Sequence, residues 1–105
     1  MGEIMNDSLS ETDHLFERLQ SGDRRALAEL FQQHRDRLRR MVELRMDARL
    51  HGRIDASDVL RDGFLDLVQR LDSYRSEPSF PVYLWMRRIV SDRLAMVHRG
   101  ACGSS

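Results

Sequence analysis

Apolar side chains recur every three or four positions along most of the chain, and no segment alternates apolar and polar residues as a strand would. Because this spacing gathers apolar residues on one face of an α-helix, it predicts an all-helical protein. Four helices are predicted, over residues 10–21, 24–47, 56–71 and from Ser79–Pro81 to Arg99. Loops are predicted at 48–54 and 72–79. Four helices with short connections indicate an all-α fold, a compact four-helix bundle.

Capping residues support these helix boundaries. Gly22 is a stop signal for the first helix, and Asp23 is a cap for the second. Asp55 is predicted to cap the third helix, with Asp58 three residues later as in a capping box. Gly100 is predicted to end the last helix. The chain is thus predicted to have a disordered lead over residues 1–9, one helical domain over 10–99 and a flexible tail over 100–105.

The predicted core consists of the apolar stripes of the four helices. The first helix supplies Leu15, Phe16 and Leu19, and the second supplies Leu27, Leu30, Phe31, Leu38, Met41 and Val42. The third supplies Leu60, Phe64, Leu67, Val68 and Leu71, and the last supplies Trp85 and Ile89. His34 lies on the apolar stripe of its helix, so we interpret it as a packing residue and not as a metal ligand.

Charge is distributed unevenly along the 105 residues, although the net charge is zero. Residues 1–17 and 55–77 are acidic, whereas residues 35–53 and 78–105 are basic. All 17 Lys and Arg positions are Arg. The guanidinium group can bind phosphate through two donors, and it can also stack on bases. A GC-rich genome would favour Arg codons as well, so the bias alone does not establish a nucleic-acid partner.

Several protein classes are disfavoured by the sequence. No apolar run has the ~18 residues needed to span a bilayer, and the N-terminus has no signal-peptide core. The single Cys102 has no partner within the chain, which suggests a reducing compartment and a cytoplasmic protein. Neither metal-ligand spacing among the histidines nor a Gly-rich phosphate loop is present. We therefore expect a protein that is not an enzyme and has no cofactor or metal.

The third predicted helix carries a row of acidic residues. The row repeats at intervals of three, four and four residues, and it consists of Asp55, Asp58, Asp62 and Asp66. Like charges at this spacing repel one another slightly. The row is either a solvated helix face or a docking stripe for a basic partner helix, and periodicity does not choose between these alternatives.

Three sets of residues, in this order and spacing, resemble the second conserved region of bacterial sigma factors of the extracytoplasmic-function group. The early set is Leu19-x-x-Gly22-Asp23-x-x-Ala26-Leu27-x-x-Leu30-Phe31, then Arg37-Leu38-x-Arg40-Met41-Val42. The middle set is Asp55-x-x-Asp58-Val59-x-x-x-x-Phe64-Leu65, then Leu71-Asp72-x-Tyr74-Arg75. The last set is Trp85-Met86-Arg87-Arg88-Ile89. The resemblance covers roughly residues 10–99 and implies a bundle of the sigma-factor region 2 type.

The resemblance also implies two partners. Members of the family dock on the clamp helices of the RNA polymerase β′ subunit, which here would involve Asp55, Asp58, Val59, Arg61, Asp62 and Asp66. They also recognise and melt the promoter −10 element, mainly through its non-template single strand. That role would fall to Arg75, Ser79, Phe80, Tyr83, Arg87, Arg88, Asp92, Arg93 and Arg99. An anti-sigma factor is a further candidate partner.

The chain departs from the family pattern at several positions. Arg61-Asp62 stands where members usually have Gln-Glu, and Asp92 stands where many have Asn. Phe80 and Trp85 are five residues apart instead of three, so either two residues are added or Tyr83 takes the tryptophan position. Nothing after Arg99 could form the second domain of the family. We therefore expect a region 2 domain from a longer protein or a naturally truncated relative. The alternative function is a helical protein-interaction module without promoter function, such as a decoy or regulator.

Overall fold

The computed structural model describes residues 14–76 and 81–103. Helix α1 occupies residues 14–20 of this part, and α2 spans Arg24–Arg45. A short 3-10 turn at Ala48–Leu50 follows, then α3 over Ala56–Ser76 and α4 over Val82–Gly103. Within the described ranges there is no strand, and a single bridge joins His51 to Ile54. The predicted all-α class and the four helices are confirmed.

A tight turn separates α1 from α2. Gly22 has φ +91°, a left-handed conformation that favours glycine, and its N–H donates to the Leu19 carbonyl at 2.9 Å. The Asp23 carboxylate then accepts from the N–H groups of Arg25 and Ala26, as predicted for a cap. Arg18 Nε also donates to this carboxylate at 2.7 Å, and that bond holds the pKa of Asp23 below its ordinary value. The turn is therefore fixed from both sides.

The connection between α2 and α3 is also capped and is tied to α4. Asp47 accepts from the Arg49 backbone and side chain, which lowers the pKa of Asp47 to about 2. The Asp47 N–H donates to Nε2 of His98 on α4 at 3.2 Å. Asp55 begins α3 as predicted, because its carboxylate accepts from the Ser57 N–H at 3.0 Å.

Helices α2, α3 and α4 pack against one another around one core, and α1 adds Leu15 and Leu19. The predicted core residues of α2 are all buried, whereas Phe64 and Val68 of α3 are half-buried. Phe16 was predicted to be in the core but is exposed, because it lies about 100° around the helix from the buried Leu15. The sequence interpretation missed further buried residues, namely Ala26, Met46, Leu50, Ala56, Val59, Tyr74, Val82, Met86, Val90 and Leu94.

Two helices run further than predicted. Residues 72–76 belong to α3 and not to a loop, although Asp and Ser are weak helix formers. Packing explains the extra turn, because Tyr74 is buried and stacks on Trp85 with ring centroids 4.3 Å apart. Helix α4 continues through Gly100 to Gly103, so the predicted stop at Gly100 is wrong. The predicted lead at residues 1–9 lies outside the described residues.

The contact between α3 and α4 is close at one glycine. A Cβ placed on Gly63 would lie 2.9 Å from Cγ2 and 3.4 Å from Cα of Val90. One turn further along α3, Asp66 makes two hydrogen bonds to Arg93, at 2.6 and 2.8 Å. This arrangement fixes how α3 and α4 present their outer faces.

Candidate functional surfaces

The outer face of α3 carries a mixed acidic and apolar surface, which we call the α3 stripe and define as Asp58, Arg61, Asp62 and Leu65. Asp58, Arg61 and Leu65 are exposed, and Asp62 is half-buried. Nη2 of Arg61 lies 3.6 Å from Oδ1 of Asp58, so this arginine partly neutralises the acidic row. Leu65 is 54% exposed at the centre of this face. Acidic side chains around an apolar contact residue suit a basic, partly apolar helix as a partner.

Two residues predicted for this surface lie elsewhere. Val59 is 1% exposed and packs in the core, so it is withdrawn from the contact surface. Asp66 turns toward α4, where it binds Arg93. The reason is helical geometry: eight residues after Asp58 the helix has turned about 80° beyond two full turns. Asp55 is exposed beside the stripe, and its carboxylate caps α3.

The outer face of α4 carries an exposed row, which we call the α4 row and define as Leu84, Arg88, Asp92 and Arg99. All four are exposed. Arg93 was predicted, like Arg88, to contact DNA. In the structure the Asp66 carboxylate accepts hydrogen bonds from the Arg93 guanidinium, and this contact raises the pKa of Arg93. Arg93 therefore joins two helices and is not part of the row.

Arg75 is occupied by contacts within the fold. It lies in the last turn of α3, where its Nε donates to the Gln20 carbonyl at 2.6 Å and its Nη1 donates to Asp72 at 3.1 Å. A Cβ on Gly22 would lie 2.9 Å from Nη1 of Arg75. The predicted base-contacting loop residue is thus a helical residue that ties α3 to the α1–α2 turn. Ser79 and Phe80, also predicted for this surface, lie outside the described residues.

A basic depression lies between α2 and α4. It has a volume of about 300 Å³, and we call it the α2–α4 groove. Its lining consists of Arg37, Arg40, Met41, Leu44, Arg45, Tyr83 and Arg87. Tyr83 and Arg87 were predicted as surface contacts, and both are half-buried here. No carboxylate contributes to this lining.

Tyr83 organises one end of the groove. The guanidinium carbon of Arg37 lies 4.3 Å from the Tyr83 ring centroid, within range of a cation–π interaction. His34 packs on the same ring at 5.0 Å, as expected of a packing histidine. Partial burial, and secondarily the charge of Arg37, lower the pKa of His34. The Tyr83 ring therefore contacts both Arg37 and His34 of α2 at this end of the groove.

Sequence reasoning missed the α2 side of this groove and Leu65 of the α3 stripe. The basic excess of residues 35–53 was visible, and Arg37, Met41, Leu44 and Arg45 fall on one helical face. The sequence did not reveal that this face adjoins Tyr83 of α4. The sequence indicated an exposed role for Leu65 only in that this apolar residue lies off the core stripe of α3.

Other kinds of site find no support in the described ranges. Within 14–76 and 81–103 no three His, Cys, Asp or Glu side chains are grouped as a metal site would require. No helix of this part is long and apolar enough to cross a membrane.

Comparison with known protein families identifies the family of the chain. A family model described as "ECF sigma factor" matches residues 9–100. No curated protein and no solved structure matches the chain significantly. The matched range includes α2, α3 and the α2–α4 groove in full.

Proposed function

The chain belongs to the ECF sigma factor family, whose members act in transcription initiation, and on this premise we propose that its two outer faces serve two partners. The α3 stripe docks on the clamp helices of the RNA polymerase β′ subunit. The α4 row recognises the promoter −10 element and helps to melt it. Residues 10–99 form the domain that does both.

The separation of the two surfaces supports this proposal. Helix α3 buries one face against α4 and α2 and leaves the α3 stripe outside. Helix α4 likewise leaves its row of two arginines outside. Exposed acidic residues suit a basic protein helix, whereas exposed arginines suit phosphate. Both partners can therefore bind at the same time.

Docking is tested by charge reversal on the α3 stripe. Asp58→Arg with Asp62→Arg should weaken retention of core RNA polymerase, because two attractive charges become repulsive. Raised salt should weaken wild-type binding too, since exposed charges are screened. The measurement is a pull-down of core polymerase by the immobilised chain across a salt series, with circular dichroism to check folding.

The matched control places the same charge change on another helix. Glu29→Arg with Asp36→Arg alters two exposed acids seven residues apart on α2, and it should leave polymerase retention near the wild-type level. Equal retention by both folded variants would reject docking through α3. Retention of polymerase without any DNA binding would favour the alternative of an interaction module.

Promoter recognition is tested with single strands. The chain should bind the non-template strand of a −10 element better than the same duplex, because the duplex must first unstack. Arg88→Ala with Arg99→Ala should weaken binding and reduce its salt dependence, since phosphate contacts release counterions. Fluorescence anisotropy at low salt with several candidate sequences measures both effects. Equal affinity for every strand would argue against specific promoter reading.

A further inference from the structure

We propose that the α2–α4 groove binds the sugar–phosphate backbone of a single DNA strand, with Arg37 and Arg40 of α2 as phosphate contacts. This inference rests on the proposed function and extends it to a second helix. The sequence interpretation assigned DNA contacts to the last helix and its preceding loop only. In the structure, α2 supplies three of the four arginines that line the groove.

The charges of the groove are arranged for an anion. Arg37, Arg40 and Arg45 stand on α2, and Arg87 faces them from α4. Among the described residues, neither Arg40 nor Arg87 forms an ion pair. Arg45 donates to the Ser91 hydroxyl at 3.1 Å, which keeps its charge uncompensated. Four guanidinium groups without a lining carboxylate would bind phosphate by charge and by paired donors.

The shape of the groove fits a strand and not a small anion. Arg37 and Arg45 are eight residues apart on α2, so the basic edge extends about 12 Å. Leu44, 79% exposed, lies on the same edge and offers an apolar contact to a sugar or an unstacked base. Surfaces that bind single strands combine a basic groove with aromatic side chains, and Tyr83 supplies the aromatic group here.

Arg37 is held in position before any ligand binds. The Tyr83 ring lies beneath its guanidinium, so less side-chain freedom is lost when a phosphate arrives. The groove also adjoins the α4 row, since Arg87 and Arg88 are consecutive residues on neighbouring faces of α4. A strand contacting Arg88 can therefore continue into the groove.

The experiment compares two charge reversals on the same helix. Arg37→Glu with Arg40→Glu alters the groove, and Arg24→Glu with Arg25→Glu makes the same charge change at exposed positions in the first turn of α2. Binding of the full chain to a fluorescein-labelled single strand and to its duplex is followed by anisotropy across a salt series. Arg40→Glu alone is included, because it leaves the Arg37–Tyr83 contact intact.

We expect the groove variant to bind the single strand about tenfold more weakly or worse, and the control to change far less. Because the groove variant no longer neutralises two phosphates, the slope of log K against log salt should become shallower by about 1.4. Binding of core polymerase should be unchanged. A larger loss of affinity for the duplex than for the single strand would overturn the assignment to a single strand.

One outcome separates this inference from the proposed function, and two others overturn it. If Arg88→Ala with Arg99→Ala weakens DNA binding and the groove variant behaves like the control, the groove inference fails and the α4 row stands. If the wild-type chain binds no DNA at low salt, the groove inference and promoter recognition by the α4 row both fail. Polyglutamate serves as a probe for an acidic protein partner. If the groove variant loses binding to polyglutamate but keeps its affinity for DNA, the groove is a protein-docking site and the inference is overturned.

Discussion

At the scale of single residues, the aromatic side chains divide into two roles. Trp85 is 7% exposed and stacks on Tyr74 with 16° between the ring planes. Tyr83, two residues earlier, is half-buried in the α2–α4 groove. A shift of two positions turns a helical residue about 200° around the axis, which places these rings on opposite faces. Trp85 therefore acts in stability and Tyr83 at the surface.

Replacing Trp85 tests this division. Trp85→Ala should lower the free energy of unfolding by about 3–5 kcal/mol, because it removes a large buried ring and its stacking interaction. Urea denaturation followed by circular dichroism measures the change. Leu84→Ala is the matched control, since Leu84 is adjacent in α4 and 46% exposed, and it should cost little. Similar destabilisation by the two variants would show that α4 is rotated from the orientation described.

Individual contact residues were harder to predict than core residues. Periodicity correctly placed Leu60 and Trp85 in the core, because burial repeats with the helix. The resemblance assigned Val59 to the contact surface, and the acidic row assigned Asp66 to it, but Val59 is buried and Asp66 binds Arg93. Both lie on the same border of the stripe, about 20° apart around α3. For a border residue, the decision depends on where the neighbouring helix lies. That information is tertiary, so the sequence of α3 alone did not contain it.

At the scale of helices, the approach of α3 to α4 depends on Gly63. No other residue type could occupy this position without displacing Val90, whose Cγ2 lies 2.9 Å from a Cβ built there. Glycine in a helix is otherwise unfavourable, by up to about 1 kcal/mol relative to alanine. Close packing of the two helices offsets that cost.

Gly63→Ala should therefore destabilise the fold, by about 1 kcal/mol after the gain in helix propensity is deducted. Adding Val90→Ala should cost less than the two single changes together, because the smaller side chain makes room for the new methyl group. The coupling is obtained from the free energies of unfolding of the wild type, the two single variants and the double variant, measured by thermal or urea unfolding. In contrast, Gly100→Ala on exposed α4 meets nothing within 4 Å and should stabilise slightly. Strict additivity at Gly63 and Val90 would contradict the close contact.

The helix ends show what local signals can predict. Asp23 and Asp55 were correctly predicted as caps, since a cap acts on the next few residues. The ends of α3 and α4 were predicted too early. In α3, Tyr74 and Arg75 extend the helix through contacts with Trp85 and with the Gln20 carbonyl, far away in the sequence.

At the scale of the molecule, the described helices share one hydrophobic core. Helices that share one core should unfold in one cooperative transition. Trp85 of α4 is the only tryptophan in the sequence, and it stacks on Tyr74 of α3. Its fluorescence therefore reports on packing between helices.

We expect the urea transition seen by Trp85 fluorescence to coincide with that seen by far-UV circular dichroism. The first probe follows tertiary packing and the second follows helix content, so a two-state protein gives one midpoint for both. Disappearance of the fluorescence signal at clearly lower urea would mean that α4 separates while α2 and α3 remain helical.

The join between α3 and α4 has a consequence for how two partners would be arranged. Asp66 accepts two hydrogen bonds from Arg93, and Val90 packs closely against Gly63. Sliding one helix along the other would break the paired bonds and force Val90 against a neighbouring side chain. These contacts therefore fix the distance and the angle between the α3 stripe and the α4 row. A strand held on one side would keep a set register relative to a polymerase held on the other.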